Sequence, residues 1–325
     1  MADYKKKEAK EWARGFYQGL DATILPSFTA DELALDEAGI RNDIRHIVRQ
    51  GFFGVTLVSA EAGTTFEEDK RLVEWCTDEA GGRIGVTHNL RYYTLEKNIE
   101  MARHAEAVGC QAVMVSYPTN FYPRSEEDVY NYTKAIADAV NIGVMLFPSI
   151  KNDFPAPYRV SAQTLNRLAD ISNVVAMKIG LLEWSWIDEC FRLFGDKIQI
   201  SYPFDDAWPT LIRKYGMQWS GAAPWQGSQT AEDPREIRLF NLIKEDRMKE
   251  AMELYWRMDP LRKTILSIAL PSAHLGLYNF QQWKYCEELL GMTGGELRMP
   301  RLTLFAHDRA RLRGAMIASG LNPVK

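Results

Sequence analysis

Lys178 closes the apolar run Val174-Val175-Ala176-Met177. An ammonium group at the end of a buried strand must be paired with an anion or be partly neutral. A neutral amine attacks carbonyl carbon, so a lysine in this setting points to Schiff-base chemistry on an aldehyde or ketone. A lysine ending an apolar run can also snorkel its head group into solvent and do no chemistry. Where the strand falls in the fold decides between the two. Other groups able to work beside an amine are His88, whose imidazole suits proton transfer at neutral pH, and the hydroxyls of Ser59, Tyr117, Tyr122 and Ser220.

Other constellations carry less. Asp205-Asp206 invites a metal reading, but adjacent side chains point apart and no His or Glu cluster completes a ligand set. A helix N-cap is expected there, and no metal. His274 in Ala273-His274-Leu275 reads as structural, and Glu67-Glu68-Asp69-Lys70-Arg71 as the charged first turn of a surface helix. Glu61 either orients backbone donors or pairs with a neighbouring hydroxyl. No cofactor motif is present, and imine chemistry requires neither a cofactor nor a metal.

Composition narrows the class. The 325 residues are 46% hydrophobic and 25% charged, with a formal net charge of -4. A mildly acidic chain without a basic block argues against nucleic-acid binding, and Lys5-Lys6-Lys7 reads as a solvated helix start. No apolar stretch reaches the roughly 18 residues of a membrane crossing, and Met1 to Lys10 is too polar for a secretory signal, so a cytoplasmic protein without membrane partners is expected. Cys76, Cys110, Cys190 and Cys286 lie far apart and read as free thiols.

The elements that must position these residues come from periodicity. Short apolar or β-branched runs alternate with amphipathic segments at a spacing of roughly 25 to 35 residues, the signature of repeated βα units. The candidate strands are Asp21 to Leu25, Gly54 to Ser59, Ile84 to His88, Ala112 to Ser116, Gly143 to Phe147, Val174 to Lys178, Ile198 to Tyr202 and Gln218 to Gly221. Helical patterns follow each, for example Glu37 to Gln50, Thr94 to Val108 and Trp184 to Phe194. Eight such units predict an α/β fold, a (β/α)8 TIM barrel. A doubly wound open sheet is disfavoured because no Gly-rich phosphate loop follows the first strand. Residues 1–245 form the barrel with a short N-terminal helix. Residues 246–325 read as a C-terminal helical appendage of the same domain, with Met248 to Met258 and Leu261 to Ala269 as separate helices.

In this fold the chemistry lies at the carboxyl ends of the strands. Lys178 closes strand six, Ser59 and Glu61 follow strand two, His88 and Asn89 strand three, Tyr117 and Tyr122 strand four, Phe147 ends strand five, and Trp219, Ser220 and Gly221 lie in strand eight.

Taken together, these features resemble the pyruvate-dependent class I aldolases and lyases typified by dihydrodipicolinate synthase and N-acetylneuraminate lyase, over nearly the whole chain. The resemblance is carried by Gly51-Phe52-Phe53-Gly54-Val55, Phe66 to Arg71, Ala107 to Ala112, Val174 to Lys178, and by Lys284, Gly291, Arg298 and Pro300 in the tail. Asp153-Phe154-Pro155-Ala156-Pro157 and Trp219-Ser220-Gly221 look most like the aromatic hydratase-aldolases that cleave arylidene-pyruvates.

The resemblance implies that the ketone carbon of pyruvate, or of another 2-oxo acid, condenses with Lys178 to a protonated imine that serves as an electron sink, with an aldehyde as the second partner. The substrate carboxylate is expected on Ser59 and Ala60, in a stretch, Leu57-Val58-Ser59-Ala60-Glu61, that keeps only the final Glu of the family's Gly-Thr-Thr-Gly-Glu. Phe147 stands where the family carries its proton-shuttling tyrosine. His88 is the candidate substitute, with Tyr117, Tyr122 and Ser59 in reserve; Tyr122 resembles a tyrosine that reaches a neighbouring subunit's site. Ile150-Lys151-Asn152 offers no match to the arginine of the lysine-biosynthetic members. Phe147, Trp184, Trp186, Trp208, Trp219 and Trp225 suit an aryl partner better than a sugar acid, although aromatics also fill barrel cores. A homotetramer or dimer is implied by the resemblance alone. Two alternatives stay open: a dehydratase or lyase of a 2-oxo sugar acid working through the same imine, and a non-catalytic ligand-binding relative.

Overall fold

The computed structural model describes residues 4–31, 33–148, 160–180, 183–273 and 278–324. Eight strands, β1 (Gly19–Ile24), β2 (Gly54–Leu57), β3 (Gly85–Leu90), β4 (Ala112–Ser116), β5 (Gly143–Phe147), β6 (Val174–Lys178), β7 (Gln199–Ser201) and β8 (Trp219–Ala223), form one sheet in the order β7-β6-β5-β4-β3-β2-β1-β8. The strands are parallel and alternate with helices, giving the (β/α)8 TIM barrel expected from the sequence. The boundaries of β4, β5 and β6 are those read from sequence, because these strands are continuous apolar runs buried on both faces.

The structure divides into two compact units that interleave in sequence. The first, Met1–Asp21, Phe53–Leu57 and Ile84–Ala222, holds nearly all of the sheet together with α1 (Ala9–Phe16), α4 (Leu95–Val108), α5 (Glu126–Ala139), α6 (Ala162–Ala169), α7 (Trp184–Phe194) and α8 (Trp208–Tyr215). The second holds α2 (Glu37–Gln50), α3 (Phe66–Ala80), α9 (Arg235–Lys244), α10 (Met248–Ala273), α11 (Phe280–Leu289) and α12 (Ala306–Ala318).

In the first unit the floor of the barrel is aromatic. Tyr4 stacks on Trp12 at 4.3 Å, Trp12 on Phe16 at 4.5 Å, and Tyr17 lies 4.8 Å from Trp219. The rings lie against the first residues of strands. Gly85 has no side chain because a Cβ there would meet the Phe16 ring at 2.1 Å. Burying each such ring stabilises the fold by about 1.5–3 kcal/mol. Lys6 is not simply a solvated helix start: its Nζ donates to the carbonyls of Ala137 (2.7 Å) and Val140 (2.8 Å), capping the carboxyl end of α5. Lys10 does the same for α6 through the Ala169 carbonyl.

In the second unit the expected break at Pro260 does not occur, and α10 runs through it for 26 residues. Proline normally leaves backbone groups in the adjoining turn unpartnered. Here Ser319 supplies a partner, its Oγ accepting from the Leu261 N–H at 3.0 Å. A buried cluster around Leu261, Leu289, Leu312 and Met316 packs the same helix against α11 and α12.

Candidate active site

The site is built on one face of the sheet within the first unit. Side chains alternate along a strand, so residues two apart share a face. Thr56 pairs with Thr87 in register, Asn89 with Met114, and Ser116 with Phe147. Contacts follow the same face: Ser116 Oγ donates to Asn89 Oδ1 at 2.5 Å, and Met114, Met145, Ala176 and Trp219 pack together with Tyr17. This is the lumen face. Between β5 and β6 the register slips, Val144 opposing Val174 and Met145 opposing Ala176, so Val175 is the extra residue of a bulge. Beyond the bulge, Ala176 and Lys178 share the lumen face.

Lys178 is half-buried at the carboxyl end of β6, with Nζ 4.8 Å from the centroid of the Phe147 ring. A cation over an aromatic face is attracted by the ring quadrupole. Deeper on the same face lies Asp21 in β1, only 3% exposed. Thr56 Oγ1 donates to its Oδ2 at 2.7 Å. Burial pushes the Asp21 carboxyl up to about 7, against the pull of the Thr56 hydrogen bond and the positive charge of Lys178. Two glycines make room for it: a Cβ at Gly221 would stand 2.5 Å from Asp21 Cβ, and one at Gly54 2.8 Å from Oδ1.

The other sequence candidates are distributed differently. His88 lies between Thr87 and Asn89 and therefore points to the opposite face, toward the helices. There it is fully buried, its Nε2 is 3.0 Å from the Tyr92 hydroxyl, and desolvation together with the nearby His104 lowers its pKa to about 3. The expectation that His88 assists Lys178 is corrected on this ground: the strand's two-residue period turns it away. Tyr117, one residue beyond lumen-facing Ser116, likewise turns outward, its hydroxyl 2.7 Å from Thr133 Oγ1 of α5, and burial raises its pKa. Tyr122 is 71% exposed.

Trp219 begins β8 and lies in the aromatic floor rather than at the mouth, its Nε1 donating to the Gln199 carbonyl at 3.2 Å. Ser220 faces α8, where it accepts from Trp208 Nε1 (3.1 Å) and donates to the Tyr202 carbonyl (2.8 Å). Gly221 returns to the lumen face beside Asp21. Trp186 is tied to the Val160 carbonyl, whereas Trp184, at the start of α7, and Phe204, after β7, remain exposed.

Ser59 and Ala60 belong to the second unit. Ser59 is buried, its carbonyl accepts from the Ala62 N–H (2.7 Å) and Thr64 Oγ1 (2.8 Å), and its own Oγ has no partner among the described residues. Ile150-Lys151-Asn152, Asp153 to Pro157 and His274 lie outside the described residues. Among the described residues no cluster of His, Cys, Asp and Glu is arranged to hold a metal. No described helix is long and apolar enough to cross a membrane, and all four cysteines are buried free thiols.

Sequence reasoning missed Asp21 and Thr56. Asp21 opens the strand that periodicity predicts, a position at which a carboxylate draws no notice. The available signal was an acid at an alternate position of a run, Leu20 to Ile24, otherwise without charge.

Residues 17–315 match the profile of the Dihydrodipicolinate synthetase family. The chain belongs to this family. It is 32% identical over 294 residues to a 4-hydroxy-tetrahydrodipicolinate synthase of Rhodopseudomonas palustris, covering 89% of this chain and 92% of that one. It is 27% identical, with the same coverage, to the enzyme of that name from Bradyrhizobium diazoefficiens. Among solved structures it is similar to dihydrodipicolinate synthase from Aquifex aeolicus, with a TM-score of 0.80, 20% identity and coverage of 95% and 100% of the two chains. It is also similar to N-acetylneuraminate lyase from Fusobacterium nucleatum, with a TM-score of 0.77, 18% identity and coverage of 93% and 98%. Members of the dihydrodipicolinate synthetase family are pyruvate-dependent lyases and synthases of the class I aldolase type, and this chain is an enzyme of that type.

Proposed function

We propose that this family member forms a Schiff base between Lys178 and the keto carbon of pyruvate or a related 2-oxo acid, and that it is a hydratase-aldolase cleaving an arylidene-pyruvate to pyruvate and an aromatic aldehyde. The observation that carries the proposal is the lumen position of Lys178 at the end of β6, with Nζ against the Phe147 ring. Imine formation joins nitrogen to the keto carbon and expels its oxygen as water. In the resulting cation water adds across the arylidene double bond, its oxygen going to the ring-bearing carbon; that hydroxyl then loses its proton as the carbon-carbon bond breaks to the aromatic aldehyde, the cation accepts the electron pair as an enamine, and protonation and hydrolysis release pyruvate and the lysine.

An aromatic partner is supported by the ring that lies against the amine. Phe147 presents a ring where a hydroxyl would suit a polyhydroxylated substrate, and Trp184 and Phe204 are exposed near strand ends in the same unit. For Ser59 and the backbone at Ala60, taken by themselves, the sequence resemblance implies a contact to a carboxylate. The buried, unpartnered Ser59 hydroxyl supports a polar ligand at that residue. Tyr122, with its exposed ring, and an oligomer of two or four subunits remain part of the same proposal.

The test is reduction with cyanoborohydride in the presence of pyruvate, followed by peptide mass spectrometry. A pyruvyl adduct on the Lys178 peptide, absent in Lys178→Ala, is the expected result, with release of an aromatic aldehyde from an arylidene-pyruvate by the unmodified enzyme. No adduct with pyruvate or any of a panel of 2-oxo acids would overturn the proposal. Turnover of hydroxylated acids but not arylidene-pyruvates would leave the imine and remove the aromatic substrate.

A further inference from the structure

We propose that Asp21 is a catalytic residue that sets the charge of Lys178, taking up the proton that its ammonium must lose before attack and returning it when water leaves. The inference rests on the imine chemistry proposed above and deepens it. It answers a difficulty in that chemistry, since Phe147 cannot carry a proton and His88 and Tyr117 face the helices.

The geometry is that of a carboxyl held for a purpose. A carboxyl buried at 3% exposure is costly unless hydrogen-bonded or paired. Asp21 has one strong hydrogen bond, from Thr56 at 2.7 Å, and glycines at 54 and 221 leave space that any side chain there would fill. The groups that face it are few. Lys178 comes from β6, and Tyr17, a buried phenol kept neutral by its own desolvation, comes from the end of α1. β2 contributes Gly54 and Thr56, and β8 contributes Trp219 and Gly221, none of which titrates. Lys178 is thus the cation to which the carboxyl responds. Burial brings Asp21 to about 7, where it can both accept and release a proton under neutral conditions.

The protons balance. Lys178 ammonium and Asp21 carboxylate become amine and acid. The amine adds to the keto carbon, and its proton passes to the new alkoxide to give a carbinolamine. Asp21 then protonates the carbinolamine hydroxyl, water leaves, and a protonated imine and the carboxylate remain. One ammonium and one ketone have become one iminium and one water, with Asp21 as it began.

The experiment is the rate of cyanoborohydride trapping with pyruvate, followed from about pH 5 to about pH 9, in the unmodified enzyme, Asp21→Asn and Thr56→Val. The unmodified profile is expected to bend near pH 7, the bend belonging to the Asp21 and Lys178 pair. Asp21→Asn is expected to lose the bend and to trap about 10²-fold more slowly at neutral pH. Thr56→Val removes the hydrogen bond that favours the ionised carboxyl, so its bend moves to higher pH; this shift is one that a merely structural role would not produce. Circular dichroism and thermal unfolding establish that each variant is folded, and if Asp21→Asn does not fold, the Thr56→Val shift decides alone. Profiles of unchanged shape and rate in both variants, beside normal trapping by the unmodified enzyme, would overturn the role of Asp21 and leave the imine standing. Absence of any adduct in the unmodified enzyme would overturn both.

Discussion

At the scale of single residues, burial decides what each ionisable group can do. His88 and Asp21 are both buried, yet desolvation moves them in opposite directions, because it disfavours the charged form in each case. His88 is depressed to about 3, so the stability gained from its neutral form is complete above about pH 6.5 and is lost as pH falls toward 3. His88→Gln keeps a partner for Tyr92 and cannot take up this proton. Urea midpoints at a series of pH values should therefore fall less steeply on the acid side in the variant, the unmodified protein losing up to about 1.4 kcal/mol more per pH unit in that window. Because His88 faces the helices, pyruvate trapping by the same variant should stay within about twofold of the unmodified rate. A loss comparable to that of Lys178→Ala would return His88 to the site. Asp21 has the contrary sign: its raised pKa contributes stability that is present below about pH 4 and is lost as pH rises through about 7.

At the scale of elements, helix ends are held by side chains brought from elsewhere in the chain. Thr65 caps α3 through the Glu68 N–H, and Glu68 returns the bond to the Thr65 N–H. Arg298 then grips Glu68 with two hydrogen bonds of 2.7 and 2.8 Å, while its Nε donates to the Leu33 carbonyl. The charged first turn of α3 is therefore more than a solvated face, and Arg298 holds the Glu68 carboxyl down at about 2. That contribution is present above about pH 4.5 and is lost as pH falls through 2. Replacing Arg298 with Met should lower unfolding free energy by about 1.5–3 kcal/mol at neutral pH, and acid unfolding should begin at a higher pH than in the parent. Equal denaturation curves would show the pair to be inert.

At the scale of the whole molecule, the second unit is joined across the length of the chain by one buried ionic network. Lys284 Nζ donates to Ser27 Oγ at 2.7 Å and lies 3.8 Å from Asp43 and 4.0 Å from Glu287, all fully buried. Thr293 N–H donates to Asp43, and Gln226 to Glu287. Such a network stabilises little relative to an apolar replacement of the whole, yet removal of one member strands the rest. Lys284→Met should cost about 3–5 kcal/mol, read as a fall in the denaturant midpoint, far more than Lys6→Met at the exposed end of α5. A loss under about 1 kcal/mol would mean that the two carboxyls are satisfied without the lysine.

The barrel, its eight strands and the strand-end position of Lys178 were determined by the sequence alone, because hydrophobic period and turn residues are local properties and the fold puts strand ends at one mouth. Membership of the aldolase family was legible for the same reason, being carried by motifs in order along the chain. Which face a side chain takes was decided by tertiary structure: His88, Tyr117 and Ser220 stood at the right place in the sequence and on the wrong face of the sheet, and Trp219 fell at the floor. Pro260 reads as a break because the Ser319 hydroxyl that supports the helix there is 59 residues away. Asp21 was overlooked because its significance lies in burial beside Thr56 and Lys178, contacts between segments that no local pattern records. Periodicity shows where a chain can bury its apolar groups, whereas the state of a buried charge depends on neighbours that only the folded chain assembles.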